Sequence, residues 1–191
     1  MGSLIEQPHF ILFPFMAPGH INPMVNIGML LAQHSVMITI VTSPYNAVRF
    51  QKILTRATES ELPIQVVKLP VPCIEVGLLE GSENLDMLSS LDLLLKFIKA
   101  IDMLQEPVQK LLGELTPRPS CLISDMCLYY TSRIAYKLQI PRISFHGFCC
   151  FCLVCLRKIH SSKVLEAITS ESEYFTVAGL PDKVEFRKHN Y

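Results

Sequence analysis

The stretch His9-Phe10-Ile11-Leu12-Phe13-Pro14-Phe15-Met16-Ala17-Pro18-Gly19-His20-Ile21-Asn22-Pro23 decides how this chain is read. From His9 to Phe15 it is almost continuously apolar and rich in β formers, as a strand covered on both faces must be. Met16 to His20 carry turn residues, and Asn22-Pro23 reads as a helix cap followed by proline at the first helical position. Met24, Ile27, Leu30 and Leu31 then recur at helical spacing as far as Gln33-His34-Ser35, and Val36 to Val41 is a second apolar run. The opening unit is therefore expected to be β-α-β.

Working outward, the alternation continues. A helix is expected near Pro44 to Arg56, a third strand at Ile64 to Leu69, and a Pro/Gly-interrupted loop from Pro70 to Asn84, of a length that often serves function. From Asp86 to Leu115 the apolar positions Leu91, Leu94, Leu95, Ile98, Ile101 and Leu104 predict a long amphipathic helix that Pro107 divides or kinks. Strands follow at Cys121 to Asp125 and Arg142 to His146, separated by a helix from Thr131 to Leu138, and a last helical run extends to about Thr169. The tail from Ala178 to Arg187 reads as turn-like and polar, with no sixth strand. The pattern predicts an α/β fold, a Rossmann-like parallel sheet with helices on both faces, in one domain spanning 1–191 that stops short of a finished doubly wound sheet.

Composition narrows the function. Half of the 191 residues are hydrophobic, enough for one sizeable core and too few for two. Seventeen basic residues balance seventeen acidic ones, so nothing draws the chain to a phosphate backbone, and no nucleic acid partner is expected. A mean hydropathy of +0.34 argues against disorder. The longest strongly apolar stretch, Gly147 to Leu156, falls short of the ~20 residues that span a bilayer, so no membrane insertion is expected. Met1 to Glu6 offers neither an export signal nor a myristoylation motif. The seven cysteines are an odd number, and Cys149, Cys150, Cys152 and Cys155 lie in one apolar run, which reads as reduced thiols of a cytoplasmic protein. Cys152 and Cys155 have C-x-x-C spacing but lack a second ligand pair, and they read as core together with Phe148, Phe151, Leu153 and Leu156.

Ligands of wound sheets bind beyond the carboxyl ends of the strands. His20 and Asp125 both fall at such ends, so the fold can bring them to one rim. A neutral imidazole there can take a proton from a hydroxyl, and a carboxylate on its far nitrogen fixes the tautomer. On residue pattern alone the competing reading is a solvated loop histidine and an aspartate that caps a helix. His146 closes strand five on the same rim; His160 is expected on an exposed helical face, and His9, His34 and His189 on the surface. There is no Walker lysine loop, no G-x-G-x-x-G after strand one and no G-x-S-x-G elbow, so neither nucleotide binding by this chain alone nor a Rossmann-like oxidoreductase finds support.

Five ordered segments resemble the N-terminal half of plant family 1 UDP-dependent glycosyltransferases: Phe13 to His20, Ile40 to Asn46, Glu106 to Leu111, Arg118 to Asp125, and Gly179 to Phe186. The likeness runs from about His9 to Arg187 and is similar to the branch that glucosylates flavonoids, triterpenoids, cytokinins and brassinosteroids. It implies a GT-B fold, two facing Rossmann-like domains of which this is the first, and an inverting transfer from UDP-glucose or a related UDP-sugar to a small hydroxylated acceptor. It implies His20 as the base that deprotonates the acceptor and Asp125 as its support. By the same resemblance, Phe15, Met16, Gly19, Met87, Tyr129, His146, Phe148 and Cys149 would wall the acceptor pocket. No cofactor and no metal are expected. The family binds its UDP-sugar mainly through a Trp-containing C-terminal segment; this chain has no Trp, so the resemblance implies that the isolated chain is inactive. The alternative is a non-catalytic product that binds a metabolite or a full-length relative. Pro18, where the motif often has Gln, and Gln33-His34-Ser35, where it often has Gln-Arg-Gly, depart from the pattern.

Overall fold

A computed structural model describes residues 7–188. They form two compact units that divide after Gly147. The first holds a five-stranded parallel sheet: β1 His9–Phe13, β2 Met37–Thr42, β3 Ile64–Lys68, β4 Cys121–Asp125 and β5 Arg142–Phe145, in the order β3-β2-β1-β4-β5. The chain winds one way from β1 to β3 and then restarts beside β1 with β4. The carboxyl ends of β1 and β4 therefore meet at the topological switch point.

Six helices cover the sheet: α1 Pro18–Gln33, α2 Pro44–Arg49, α3 Gln51–Glu59, α4 Leu91–Asp102, α5 Gln105–Glu114 and α6 Thr131–Leu138. Successive strand residues point to opposite faces, and the core divides accordingly. Ile11, Phe13, Val41 and Leu122 pack with Phe97 and Ile101 of α4, Val108 and Leu112 of α5, and Ile134 of α6. Leu12, Ile38, Ile40 and Ile123 face the other way, against Ile21, Met24 and Val25 of α1 and Phe50 beside α3. Gly28 lets α1 lie close on the sheet, since a Cβ there would come within 3.0 Å of Leu12.

Several readings of local structure change, among them the helix expected near Pro44 to Arg56, which is the two helices α2 and α3. Helix α1 starts at Pro18, not after Asn22: Pro18 supplies the first helical position, and the Ala17 carbonyl accepts from the His20 and Ile21 N–H groups. Pro23 consequently lies inside the helix. The long helix is two helices, but the break falls at Met103–Leu104, and Pro107 sits in the first turn of α5, where its missing N–H is not needed. His9 is buried, not on the surface: its Nδ1 donates to the Pro117 carbonyl at 2.7 Å and its Nε2 accepts from the Thr39 hydroxyl at 2.7 Å. A histidine at the start of a covered strand faces the interior and has to find partners there. His34 is exposed, as expected; His189 and the Met1 to Glu6 segment lie outside the described residues.

The second unit contains α7 Cys150–Ser162, α8 Val164–Ala167, β6 Tyr174–Thr176 and β7 Glu185–Arg187 around Ile159, Ile168, Phe175 and Val177. The two short strands pair antiparallel, which corrects the reading of a strandless tail. Val184 and Phe186 alternate with charged neighbours, and Phe186 packs on Phe175; three residues are too few for the alternation to stand out in the sequence. The cysteine-rich run is not core as a whole. Cys155 is buried, but Cys149, Cys150, Cys152, Phe148 and Phe151 are exposed, because α7 is apolar on more faces than the unit covers. His160 is exposed. Among the described residues no helix is long and apolar enough to cross a membrane.

Candidate active site

The first turn of α1 follows β1 after a sharp bend in which the Ala17 N–H donates to the Phe15 carbonyl. That bend puts His20 three residues into the helix, at the carboxyl end of β1. Asp125 is the last residue of β4, the strand beside β1, where Phe13 pairs with Ser124. Across 105 residues of sequence the two side chains meet: His20 Nδ1 lies 2.7 Å from Asp125 Oδ2. A carboxylate only accepts, so Nδ1 carries the proton and donates. The neutral ring then has its lone pair on Nε2.

The carboxylate is fully buried and the imidazole nearly so, at 0% and 14% exposure. A buried charge persists only with partners, and Asp125 has them. Its Oδ1 accepts from the Cys127 N–H at 3.0 Å. Arg142 of β5 donates from Nε to the Ser124 hydroxyl at 2.7 Å and the Thr131 hydroxyl at 3.0 Å, and from Nη2 to the Asp125 carbonyl at 3.4 Å. Burial lowers the Arg142 pKa, and the nearby Asp125 charge offsets only part of that shift. Beside them, the Cys127 thiol is pushed up to about 11, first by desolvation and then by the Asp125 carboxylate. Donor atoms of His20, Asp125 and Cys127 lie within 4.8 Å of one another, the one grouping of metal-ligand type among the described residues. Within it the imidazole nitrogen and the carboxylate oxygen are hydrogen-bonded, and the thiol is the group held in its protonated form.

Two further contacts fix the imidazole. The Phe15 ring meets it edge-on at 5.6 Å between centroids and also meets Phe97 at 6.1 Å, tying His20 to the core. Gly147 lies so close that a Cβ there would be 2.8 Å from His20 Nδ1 and 3.0 Å from Cγ and Cε1. Neither Gly147 nor Arg142 was singled out by the sequence reading. The signals available were a glycine just past the end of a strand, where backbone approaches something closely, and an arginine opening a strand of a covered sheet.

The expected acceptor walls are distributed unevenly. Phe15 is buried against His20, and Met16 is buried in the core, with its carbonyl accepting from the Leu85 N–H at 2.8 Å. Gly19 is exposed, with open space where a side chain would go. Met87, Tyr129 and His146 are exposed. Phe148 and Cys149 belong to the second unit and are exposed there. A groove of about 480 Å³ is lined by Leu85, Leu88, Ser89, Ser90, Leu91 and Leu94, on either side of Met87 in sequence. The loop leading to it is pinned to the rim: Asn46 donates to the Ser43 hydroxyl and the Glu83 carbonyl, both at 2.8 Å, and the Tyr45 N–H donates to Glu83 Oε2 at 2.8 Å.

No family model matches the sequence. The chain is 55% identical over 181 residues to UDP-glycosyltransferase 73C11 of Barbarea vulgaris and 54% identical to UDP-glycosyltransferase 73C5 of Arabidopsis thaliana; each match covers 94% of this chain and 37% of the relative. The structure superposes with a TM-score of 0.83 and 29% identity on Glycyrrhiza uralensis UGT73P12 complexed with glycyrrhetinic acid 3-O-monoglucuronide, covering 95% of this chain and 36% of that one. Arabidopsis thaliana UGT89C1, at 23% identity and a TM-score of 0.62, shares the fold. The chain thus spans little more than a third of the length of the relatives it matches. By sequence and by fold, over that third, it belongs with the plant UDP-glycosyltransferases.

Proposed function

We propose that the chain is the acceptor-binding part of a UDP-sugar-dependent glycosyltransferase acting on hydroxyl groups of small plant metabolites, with His20 as general base and Asp125 as its positioning partner. The observation that carries this reading is the 2.7 Å hydrogen bond between a buried carboxylate and an imidazole at the switch point of the sheet. With the proton on Nδ1 held by Asp125, Nε2 takes the acceptor's hydroxyl proton as that oxygen attacks the anomeric carbon. The bond from that carbon to the diphosphate breaks on the opposite face, UDP leaves with the electron pair, and the configuration inverts. Asp125 stabilises the imidazolium that forms. Hydrogen bonds and helix dipoles suffice to hold the departing diphosphate, so the scheme calls for no metal and no cofactor. Flavonoids, terpenoids and hormones are the acceptor classes in view, and an acceptor of the kind seen in the Glycyrrhiza structure is the first to try.

The test is a graft. This chain replaces the matching segment of UDP-glycosyltransferase 73C11, and turnover of UDP-glucose is followed against a panel of acceptors from each class. Sugar transfer is expected from the graft, and His20→Ala is expected to reduce kcat by about 10²–10⁴, the range general-base catalysis supplies. A graft that binds acceptor and transfers sugar equally well without the imidazole would refute the proposal. The 191-residue polypeptide assayed by itself is expected to give no turnover.

A further inference from the structure

Helix α7 opens with Cys149-Cys150-Phe151-Cys152, and the first and last of these form a pair. Cys149 is the N-cap, with extended backbone at φ −67° and ψ 150°, and its sulfur accepts from the Cys152 N–H at 3.4 Å. The two sulfurs are 3.2 Å apart, and both residues are exposed. Residues three apart at the start of a helix are neighbours on one face, so closing a bond between them asks for side-chain rotation and little movement of the backbone. Cys152 and Cys155 also have C-x-x-C spacing, but Cys155 is buried; the exposed pair at that spacing lies one turn earlier.

We propose that Cys149 and Cys152 are a reversible redox-modification site that exchanges with a low-molecular-weight disulfide of the glutathione class. Cys149 is the attacking thiol. Hydrogen bonds from the Cys152 backbone and side chain pull its pKa down, whereas contact with Cys149 pushes that of Cys152 up, so Cys149 is the more readily ionised of the two. The Cys149 thiolate attacks one sulfur of the external disulfide, whose S–S bond breaks, and one glutathione thiolate leaves with the bonding electrons. Cys152 then loses its proton to water and attacks the Cys149 sulfur of the mixed disulfide, expelling the second glutathione as thiolate. Two electrons pass from the protein pair to the external disulfide, two glutathione thiols result, and the reverse exchange restores the dithiol.

The other cysteines serve as internal controls. Cys73 and Cys121 are buried, with thiols pushed up by that burial. Cys127 is exposed, yet its thiol is pushed up to about 11. Cys150 is exposed and adjacent to Cys149 but has the wrong spacing to pair along the helix.

The experiment uses the 191-residue chain, first reduced and then placed in oxidised glutathione at neutral pH, with peptide mapping by mass spectrometry. The expected product links Cys149 to Cys152 with the loss of two hydrogens. Brief exposure of the reduced chain to iodoacetamide is expected to label Cys149 several-fold faster than Cys127 or Cys150. In Cys152→Ser the reaction is expected to stop at one glutathionyl group on Cys149, and in Cys149→Ser no cyclic product forms. Labelling of the unaltered chain decides the matter even where a variant folds poorly. Preferential labelling of Cys127 or Cys150, or oxidation that leaves Cys149 and Cys152 unlinked, overturns the proposal.

Discussion

Adding one methyl group at Gly147 tests whether the imidazole is held as tightly as its contacts imply. Alanine is acceptable to the backbone, since Gly147 lies outside the left-handed region, so only space opposes it. The new Cβ would stand 2.8 Å from His20 Nδ1, whereas unstrained non-bonded contacts begin near 3.5 Å. The ring has to move by roughly 0.7 Å or more. Along the hydrogen bond that takes 2.7 Å past the usual limit of about 3.2 Å; across it, the bond bends instead. Either way Asp125 loses its hold on the tautomer, a loss of about 1.5–3 kcal/mol for a charge-assisted bond. A misplacement approaching 1 Å at a reacting group costs about 10²-fold in rate.

Two assays read this out. Long-range nitrogen–proton NMR of the chain reports which nitrogen of His20 carries the proton, and Gly147→Ala is expected to mix the tautomers. In the graft, kcat is expected to fall by about two orders of magnitude, with a smaller change in KM. Gly113→Ala is the control, because its Cβ would sit 3.8 Å from Leu138 in ordinary contact within α5. A Gly147→Ala protein whose tautomer and turnover match those of Gly113→Ala would refute the reasoning.

Three other substitutions have definite expectations. Arg142→Met removes the donor to Ser124, Thr131 and the Asp125 carbonyl and should cost about 1.5–3 kcal/mol by urea unfolding; a double-mutant cycle with Asp125→Asn should show coupling of at least about 0.5 kcal/mol. Tyr130→Phe should leave stability unchanged or raise it by about 1 kcal/mol in the same assay, because the buried hydroxyl has no hydrogen-bond partner among the described residues. Cys127 keeps its proton to about 11 in the folded chain against 9.0 ordinarily, so the folded state binds more protons between those values and stability is lost as pH rises across that window. Cys127→Ser should flatten this part of the unfolding-versus-pH curve.

The sheet was legible because parallel strands covered on both faces leave apolar runs, and β4 and α6 were read to the residue. Boundaries failed where a proline could serve in two ways. Pro18 and Pro23 are both plausible at a helix start, and the choice rests on the Ala17 carbonyl receiving two N–H groups, a tertiary fact. His9 was misplaced because polarity outweighed its strand register, although the same register that buries Ile11 and Phe13 buries it. His20 and Asp125 were legible as strand-end residues, but their supports were not. An absent side chain at Gly147 and an arginine reaching sideways to β4 leave no periodic trace.

That asymmetry follows from how the site is built. Of the marker segments in the first unit, Phe13 to His20 and Arg118 to Asp125 carry the imidazole and the carboxylate, while Ile40 to Asn46 supplies Ser43 and Asn46, which tie down the loop ahead of the groove. Glu106 to Leu111 contributes Val108 to the core. Most of the recognisable sequence therefore holds the rim in place, and a hydrogen bond between the first turn of α1 and the end of β4 depends on the β1–β4 register that sets those two ends side by side. The groove lined by Leu85, Leu88, Ser89, Ser90, Leu91 and Leu94, by contrast, is built on the segment leading into α4 and on the first turn of that helix rather than on a strand. If the proposed function holds, substitutions there are expected to alter acceptor preference without disturbing the His20–Asp125 hydrogen bond. Graft variants at Leu88 or Leu91 should change the ranking of acceptors while leaving the His20 tautomer as it is.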